Sequence, residues 1–182
     1  MISPGWYAVE TKSNQEFTVD RILRVKGYEV LLPSYETHST GRALKRALFP
    51  GYLFCRIGAN TSANVVTSPG VRRLVGFGGK YLPVDLVEIA SLRVVVESSV
   101  LRTPALYIPG GCRVRISSGP LAGACGVMEE GSYSRKFAVS IALLQRSVLV
   151  QLDDTTDVTL LEDRSRIAGP LEERVAMALC RQ

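Results

Sequence analysis

Between Gly111 and Glu130 the chain reads GCRVRISSGPLAGACGVMEE, and few folds have a use for such a stretch. Val114 and Ile116 alternate with Arg113, Arg115 and Ser117, the period of a strand with one apolar and one polar face. Gly119-Pro120 interrupts it. Gly123 and Gly126 follow at a spacing that lets the backbone fold back, because glycine reaches positive φ without a Cβ clash. Val127 and Met128 resume an apolar strand. The chain is thereby committed to a tight hairpin of small residues, and its neighbours decide what that hairpin belongs to.

Downstream, Phe137 to Ile141 and Ser147 to Leu152 alternate in the same way, and Thr155 to Leu161 suits a closing strand. Four or five short strands in so little chain fit a small barrel, which removes sheet edges by closing on itself. Upstream, strand and helix signals alternate. Trp6 to Thr11 is rich in aromatic and β-branched residues. Ser13 and Asn14 are candidate caps for a helix through Phe17, Val19, Ile22, Leu23 and Val25, which Gly27 stops. Tyr28 to Leu32 reads as a strand ended by Pro33. The polar, basic stretch from Ser34 to Leu48 shows no clear period. Phe49-Pro50-Gly51-Tyr52-Leu53-Phe54 then enters an apolar strand through a Pro-Gly turn, Val71 to Phe77 is again apolar, and Val84 to Val96 is an amphipathic helix opened by Pro83 and Asp85.

Ser98 to Pro109 lacks periodicity and holds Pro104 and Pro109, the composition of a linker. From Gly169 on, good helix formers follow a proline start. The expected division is an α+β domain over residues 1–97, with an antiparallel sheet flanked by helices, a linker over 98–108, a small all-β barrel over 109–163, and a short C-terminal helix or tail over 164–182.

The net charge of +5 is unevenly placed. Residues 1–97 carry 12 Lys+Arg against 8 Asp+Glu, whereas residues 98–163 carry 6 against 7. A polyanion would therefore meet the first half. The four cysteines, Cys55, Cys112, Cys125 and Cys180, form no C-x-x-C pair and have one histidine, His38, to join them. Reduced structural thiols follow, although a Cys112–Cys125 bridge across the hairpin is conceivable. No apolar run approaches the roughly 18 residues that span a bilayer, and the N-terminus lacks the layout of a secretory signal. A cytoplasmic protein is expected. No carboxylate pair, phosphate loop or metal-ligand cluster assembles, so neither an enzyme nor a cofactor is expected.

Taken in order, Trp6-Tyr7, the helix, Phe49-Pro50-Gly51-Tyr52-Leu53-Phe54, Pro69-Gly70-Val71, Val75-Gly76-Phe77 and the glycine hairpin resemble the NusG family of transcription factors from Trp6 to about Leu161. The hairpin itself resembles the KOW motif of that family and of ribosomal proteins, an SH3-like barrel, and the first half its NGN domain. Arg42-Ala-Leu-Lys45-Arg46 and Leu144 to Val148 look more like specialised RfaH-like or capsule-operon antiterminators than like the general factor.

The resemblance implies a monomer, without a membrane partner, that binds the clamp helices of the largest RNA polymerase subunit and suppresses pausing or termination. It places the apolar contact at Trp6, Tyr7, Phe49 and Tyr52. Core packing competes with partner contact at all four; it is the expectation at Trp6, whereas Phe49 is expected exposed. Arg42, Lys45, Arg46, Arg72 and Arg73 are the candidates for the non-template DNA strand, and Thr61, Ser62 and Asn64 for a second polymerase element, the gate loop, with ordinary helix surface as the plainer reading. The KOW barrel, shaped at Gly119, Pro120, Gly123 and Gly126, recruits Rho or a small-subunit ribosomal protein in the family through a loop phenylalanine. Here that stretch has no aromatic residue, which leaves Leu143, Leu144 and Arg146 as its candidates. In RfaH the C-terminal domain covers the polymerase face as helices; the alternating strands here favour a barrel that stays β. An RNA-binding or ribosome-associated KOW protein, working through Arg113, Arg115, Arg135 and Lys136, is the alternative, and the near-neutral charge of the barrel speaks against it.

Overall fold

Alternation along the first strand sorts the whole N-terminal half. The computed structural model describes residues 3–39, 42–59, 62–108, 111–128 and 135–162; Thr61 and the expected C-terminal helix lie outside them. The elements run β1 (Gly5–Thr11), α1 (Glu16–Val25), β2 (Glu29–Leu31), β3 (Ser34–Ser39), β4 (Arg42–Ala47), β5 (Tyr52–Ile57), α2 (Ser62–Val66), β6 (Val71–Leu74), β7 (Gly76–Phe77), β8 (Lys80–Tyr81), β9 (Pro83–Val84) and α3 (Leu86–Glu97). The central sheet has the order β2-β5-β1-β6, with β9 also on β1, and its pairs are antiparallel. Trp6 and Ala8 of β1 and Phe54 of β5 point to one face, and Tyr7, Val9, Leu53, Cys55 and Ile57 to the other. Val19 and Leu23 of α1 and Val65 of α2 cover the second face, while Ile89, Leu92 and Val95 of α3 cover the first.

The helix ends have local causes. Asp85 caps α3, its Oδ1 accepting the Val87 N–H at 2.6 Å. At α1 the expected Ser13 or Asn14 cap is absent: Gln15 is the N-cap, without a side-chain cap bond. A turn replaces it, with Asn14 at φ 58° and the Gln15 N–H on the Lys12 carbonyl. Gly27, at φ 83°, ends α1; the Tyr28 N–H reaches back to the Leu23 carbonyl.

The stretch from Ser34 to Leu48 is a hairpin, β3 against β4, with Tyr35 opposite Arg46 and Thr37 opposite Leu44. Residues 42–46 are all exposed. A ribbon wet on both faces has no reason to alternate, which is why no strand period shows there.

The second half contains β10 (Arg102–Leu106), β11 (Cys112–Ile116), β12 (Cys125–Met128), β13 (Lys136–Ile141), a 3-10 turn at Ala142–Leu144, β14 (Arg146–Gln151) and β15 (Val158–Glu162). Their order is β10-β14-β13-β12-β11-β15. Residues 98–108, expected as an irregular linker, thus supply a strand. Pro104 sits opposite Val148 on this edge, where a missing N–H costs no ladder bond on the outer side. Gly123 takes positive φ, 89°, as expected, and Gly119 does so too, at 79°. Gly126 does not. Its role is close approach: a Cβ there would lie 2.3 Å from the Ala138 carbonyl oxygen and 2.7 Å from the Phe137 ring. The second half is β and still packs on the first half: one apolar cluster runs from Trp6, Phe49 and Leu92 into Val114, Leu121, Phe137 and Ile141.

Candidate functional site

The Phe49-Pro50-Gly51-Tyr52 turn lies where the sheet, α1 and the barrel meet. Gly51 takes φ 84°, the Tyr52 N–H bonds the Phe49 carbonyl at 2.9 Å, and the Gly51 N–H donates to the buried Glu16 carboxylate at 2.7 Å. This presses Phe49 inward. Its ring meets Phe54 edge to face at 5.5 Å and it has 0% exposure. The expectation of an exposed Phe49 is therefore corrected: the backbone turn, and not the charged loop before it, sets its direction. Trp6, 5% exposed, is a core residue as expected, with the Arg93 guanidinium 4.9 Å from its ring centroid. Arg93 in turn pairs with Glu29, which also holds Arg56 at 3.2 Å. The two arginines, Arg93 foremost, hold the Glu29 carboxyl below its usual range. Tyr7 belongs to the opposite face, so strand alternation separates it from Trp6, Phe49 and Tyr52. Burial raises its phenol pKa, and its hydroxyl donates to the Ser3 carbonyl.

The barrel meets this aromatic face with the residues nominated for recruitment. Leu143 and Leu144 are half-buried against the shared cluster, as is Tyr52. Arg146 donates to the Pro50 carbonyl at 2.9 Å and lies 5.3 Å from the Tyr52 ring centroid. Two further bonds join α3 to the barrel: the Cys125 N–H donates to Ser91 Oγ at 2.9 Å, and the Ala142 N–H to Glu88 Oε1 at 3.3 Å. Arg102 bridges the halves from β10, donating to the Val95, Ser98 and Ser34 carbonyls; burial lowers its pKa. Glu88, Ser91 and Arg102 carried no functional expectation. Ser91 had a signal, a hydroxyl on the buried side of an otherwise apolar helix, whereas Glu88 and Arg102 read as ordinary surface charges.

The five candidate cations separate into two groups. Arg73 and Arg72 both hold Glu10, at 2.7 and 3.4 Å, and the Arg73 bond chiefly pulls that carboxyl below its usual value. Arg42, Lys45 and Arg46 are exposed on β4 without a carboxylate partner among the described residues. Ser62 and Asn64 lie on α2, across the sheet from the aromatic cluster. The Asn64 carbonyl accepts the Lys26 ammonium and the Ser68 hydroxyl. Of the cations in the alternative RNA-binding reading, Arg135 is engaged by the Asp153 and Asp154 carbonyls and Arg115 by the Cys125 sulfur.

Burial pushes the Cys55 thiol up to about 12, which keeps it protonated. Cys112 faces Met128 and Cys125 faces Arg115 across the hairpin, so the conceivable bridge does not form, and neither cysteine is in a disulfide. No group of three or more His, Cys, Asp or Glu side chains is placed to hold a metal ion among the described residues. No described helix is long and apolar enough to cross a membrane.

Residues 4–93 match the NusG family model, described as transcription termination factor nusG. Among curated relatives, the transcription termination/antitermination protein NusG of Pseudomonas aeruginosa is 32% identical over 166 residues, covering 81% of this chain and 94% of the relative. That of Helicobacter pylori is 23% identical over 164 residues, covering 81% and 93%. A solved structure reported as "Domain interaction in Thermotoga maritima NusG" aligns with a TM-score of 0.51 at 23% identity, over 88% of this chain and 98% of that one. It supports the α+β fold.

Proposed function

The chain belongs to the NusG family of transcription termination/antitermination factors, and from that premise we propose that it binds RNA polymerase during elongation. The N-terminal domain grips the clamp helices of the largest subunit through the face that carries Tyr52, backed by the buried Trp6 and Phe49, and so suppresses pausing or termination. The barrel recruits a further partner, Rho or a small-subunit ribosomal protein, through Leu143, Leu144 and Arg146.

What supports this reading is that one apolar cluster joins the two halves. With the barrel lifted away, Tyr52 and the outer side of α3 would form a contiguous apolar patch rimmed by Glu88 and Arg93, the anatomy of a protein interface. In the closed arrangement the polymerase face and the recruiting face occlude one another. Each partner then helps the other to bind, because a ligand of either open face favours the same open state, and such coupling is reciprocal. Arg42, Lys45 and Arg46 supply the contact to the non-template strand, while Arg72 and Arg73, which share the Glu10 carboxylate, contribute less. Ser62 and Asn64, on the other side of the sheet, suit a second contact such as the gate loop. The basic hairpin favours a specialised branch of the family, whose mark would be a requirement for a DNA sequence element.

The test titrates the full chain onto RNA polymerase and measures read-through at a pause. Phe49→Ala is a poor probe, because truncating a fully buried ring costs about 3–5 kcal/mol of fold stability. Tyr52→Ala is the informative variant. A hot-spot aromatic is worth about 2 kcal/mol, so affinity falls roughly thirtyfold while the melting temperature stays near that of the parent. Polymerase binding that is unaltered in Tyr52→Ala would sink the assignment of this face.

A further inference from the structure

Where α3 meets the barrel, a cavity of about 190 Å³ remains between the two halves. One wall is the first turn of α3, with Asp85 and Glu88, and the other is the outer face of the barrel sheet. Register fixes that second wall. Arg113, Val127 and Ala138 stand opposite one another across β11, β12 and β13, so they form one row on the face away from the buried Val114 and Ile116. Tyr107, just after β10, borders the same space.

The charges on the two walls are not spent on each other. Arg113 is half-buried, yet its guanidinium bonds no described residue, and neither does the Tyr107 hydroxyl. Opposite them, Asp85 caps α3 through Oδ1, and Glu88 accepts the Ala142 N–H through Oε1. The cavity therefore holds a cation on the barrel side and carboxylates on the helix side, with a gap between them. A small anion would be repelled by the carboxylates, and a small cation would leave Arg113 unanswered. A molecule with both charges answers both walls. We propose that the cavity binds a small zwitterionic amino acid, its carboxylate on Arg113 and Tyr107 and its ammonium on Asp85. At the roughly 30 Å³ that one water-sized atom occupies, the space admits about six heavy atoms, the size of alanine. Because its walls come from both halves, the cavity exists in the closed form alone, and occupation favours that form. Amino acid at about nine times its Kd shifts closed over open about tenfold, and polymerase affinity falls by up to that factor. This last consequence rests on the reading that the open face grips polymerase; the binding itself does not.

NMR titration of the full chain with glycine, L-alanine and L-serine is the test, alongside propionate, which lacks the ammonium, and L-alaninamide, which lacks the carboxylate. Saturable binding of at least one of the three amino acids is expected, with both truncated probes at least about tenfold weaker. Arg113→Gln and Asp85→Asn should each weaken the amino acid by a similar factor; asparagine is itself a good helix cap, so the second variant keeps the fold. In the parent, the bound amino acid should slow hydrogen exchange of the Cys125 and Ala142 amides, which bond the barrel to α3. No saturable binding by any of the three, equal binding of propionate or alaninamide, or binding unaltered by Arg113→Gln would overturn the site. Polymerase affinity of Tyr52→Ala, measured separately, reports on the other reading; either can fail alone.

Discussion

Arg146→Ala should open the two halves of the molecule without unfolding either. Its guanidinium makes one hydrogen bond to the Pro50 carbonyl, at 2.9 Å, and one contact with the Tyr52 ring, at 5.3 Å. A bond from a charged donor contributes about 1.5–3 kcal/mol when dry and less at a partly exposed site, and an exposed cation–π contact about 0.5–1 kcal/mol. A combined loss of about 1.4 kcal/mol is a reasonable working figure, which is tenfold in the equilibrium between closed and open forms. Two amides report that equilibrium directly, because the Cys125 and Ala142 N–H groups of the barrel donate to Ser91 and Glu88 of α3. Their hydrogen exchange should accelerate about tenfold in the variant. Amides of the β13–β14 ladder, where Val139 pairs with Val148, should keep their rates. In parallel, polymerase affinity should rise. Exchange that speeds up equally across the barrel would mean that Arg146 stabilises the barrel itself, and unchanged rates at Cys125 and Ala142 would mean that the apolar cluster alone holds the halves together. Either result refutes the argument.

Other perturbations follow from single features. Gly126→Ala forces a Cβ to within 2.3 Å of the Ala138 carbonyl oxygen, so chemical denaturation should show a loss of at least about 3 kcal/mol, against about 1 kcal/mol for Gly119→Ala, where only positive φ is strained. Glu10 has its carboxyl pKa lowered on folding, so its contribution is present above the ordinary value of 4.5 and lost as the pH falls through the depressed one. Glu10→Gln should therefore cost up to about 1 kcal/mol at neutral pH, because its arginine partners are exposed, and the difference from the parent should vanish in acid denaturation curves below that range. Cys55, with its thiol at about 12, should resist alkylation in the native protein at pH 8, while Cys112 and Cys125 are modified; peptide mapping by mass spectrometry reads both.

The residues that alternate are the ones whose structure could be read in advance. Phe137 to Ile141 and Ser147 to Leu152 alternate along the sequence, while Trp6 to Thr11, buried on both faces, carries no period and is marked by its aromatic and β-branched residues. The hairpin from Ser34 to Ala47 buries little and the edge strand Arg102–Leu106 contains a proline, so both looked like connecting chain. Asn14 misled for a related reason. A polar residue before a helix is a good cap by composition, but its backbone went to positive φ, in a turn that bonds the Gln15 N–H to the Lys12 carbonyl. At the candidate site, residue types were legible and directions were not. Four aromatics and five cations were nominated; the fold placed Tyr7 on the far side of the sheet, sank Phe49, and gave Arg72 and Arg73 a common carboxylate.

By itself, the sequence determined the α+β half, the β-rich half with its glycine-shaped hairpin, and the resemblance to a transcription factor family, because these depend on local period, turn chemistry and the order of short motifs. The tertiary structure alone decided that the barrel rests on the aromatic face, that Arg146 reaches the Pro50 carbonyl from 96 residues away, and that Arg46 lines a groove with Phe17 and Tyr35. Such facts concern pairs of residues remote in sequence. No local propensity encodes them, since which surfaces meet depends on shape and charge summed over both halves at once.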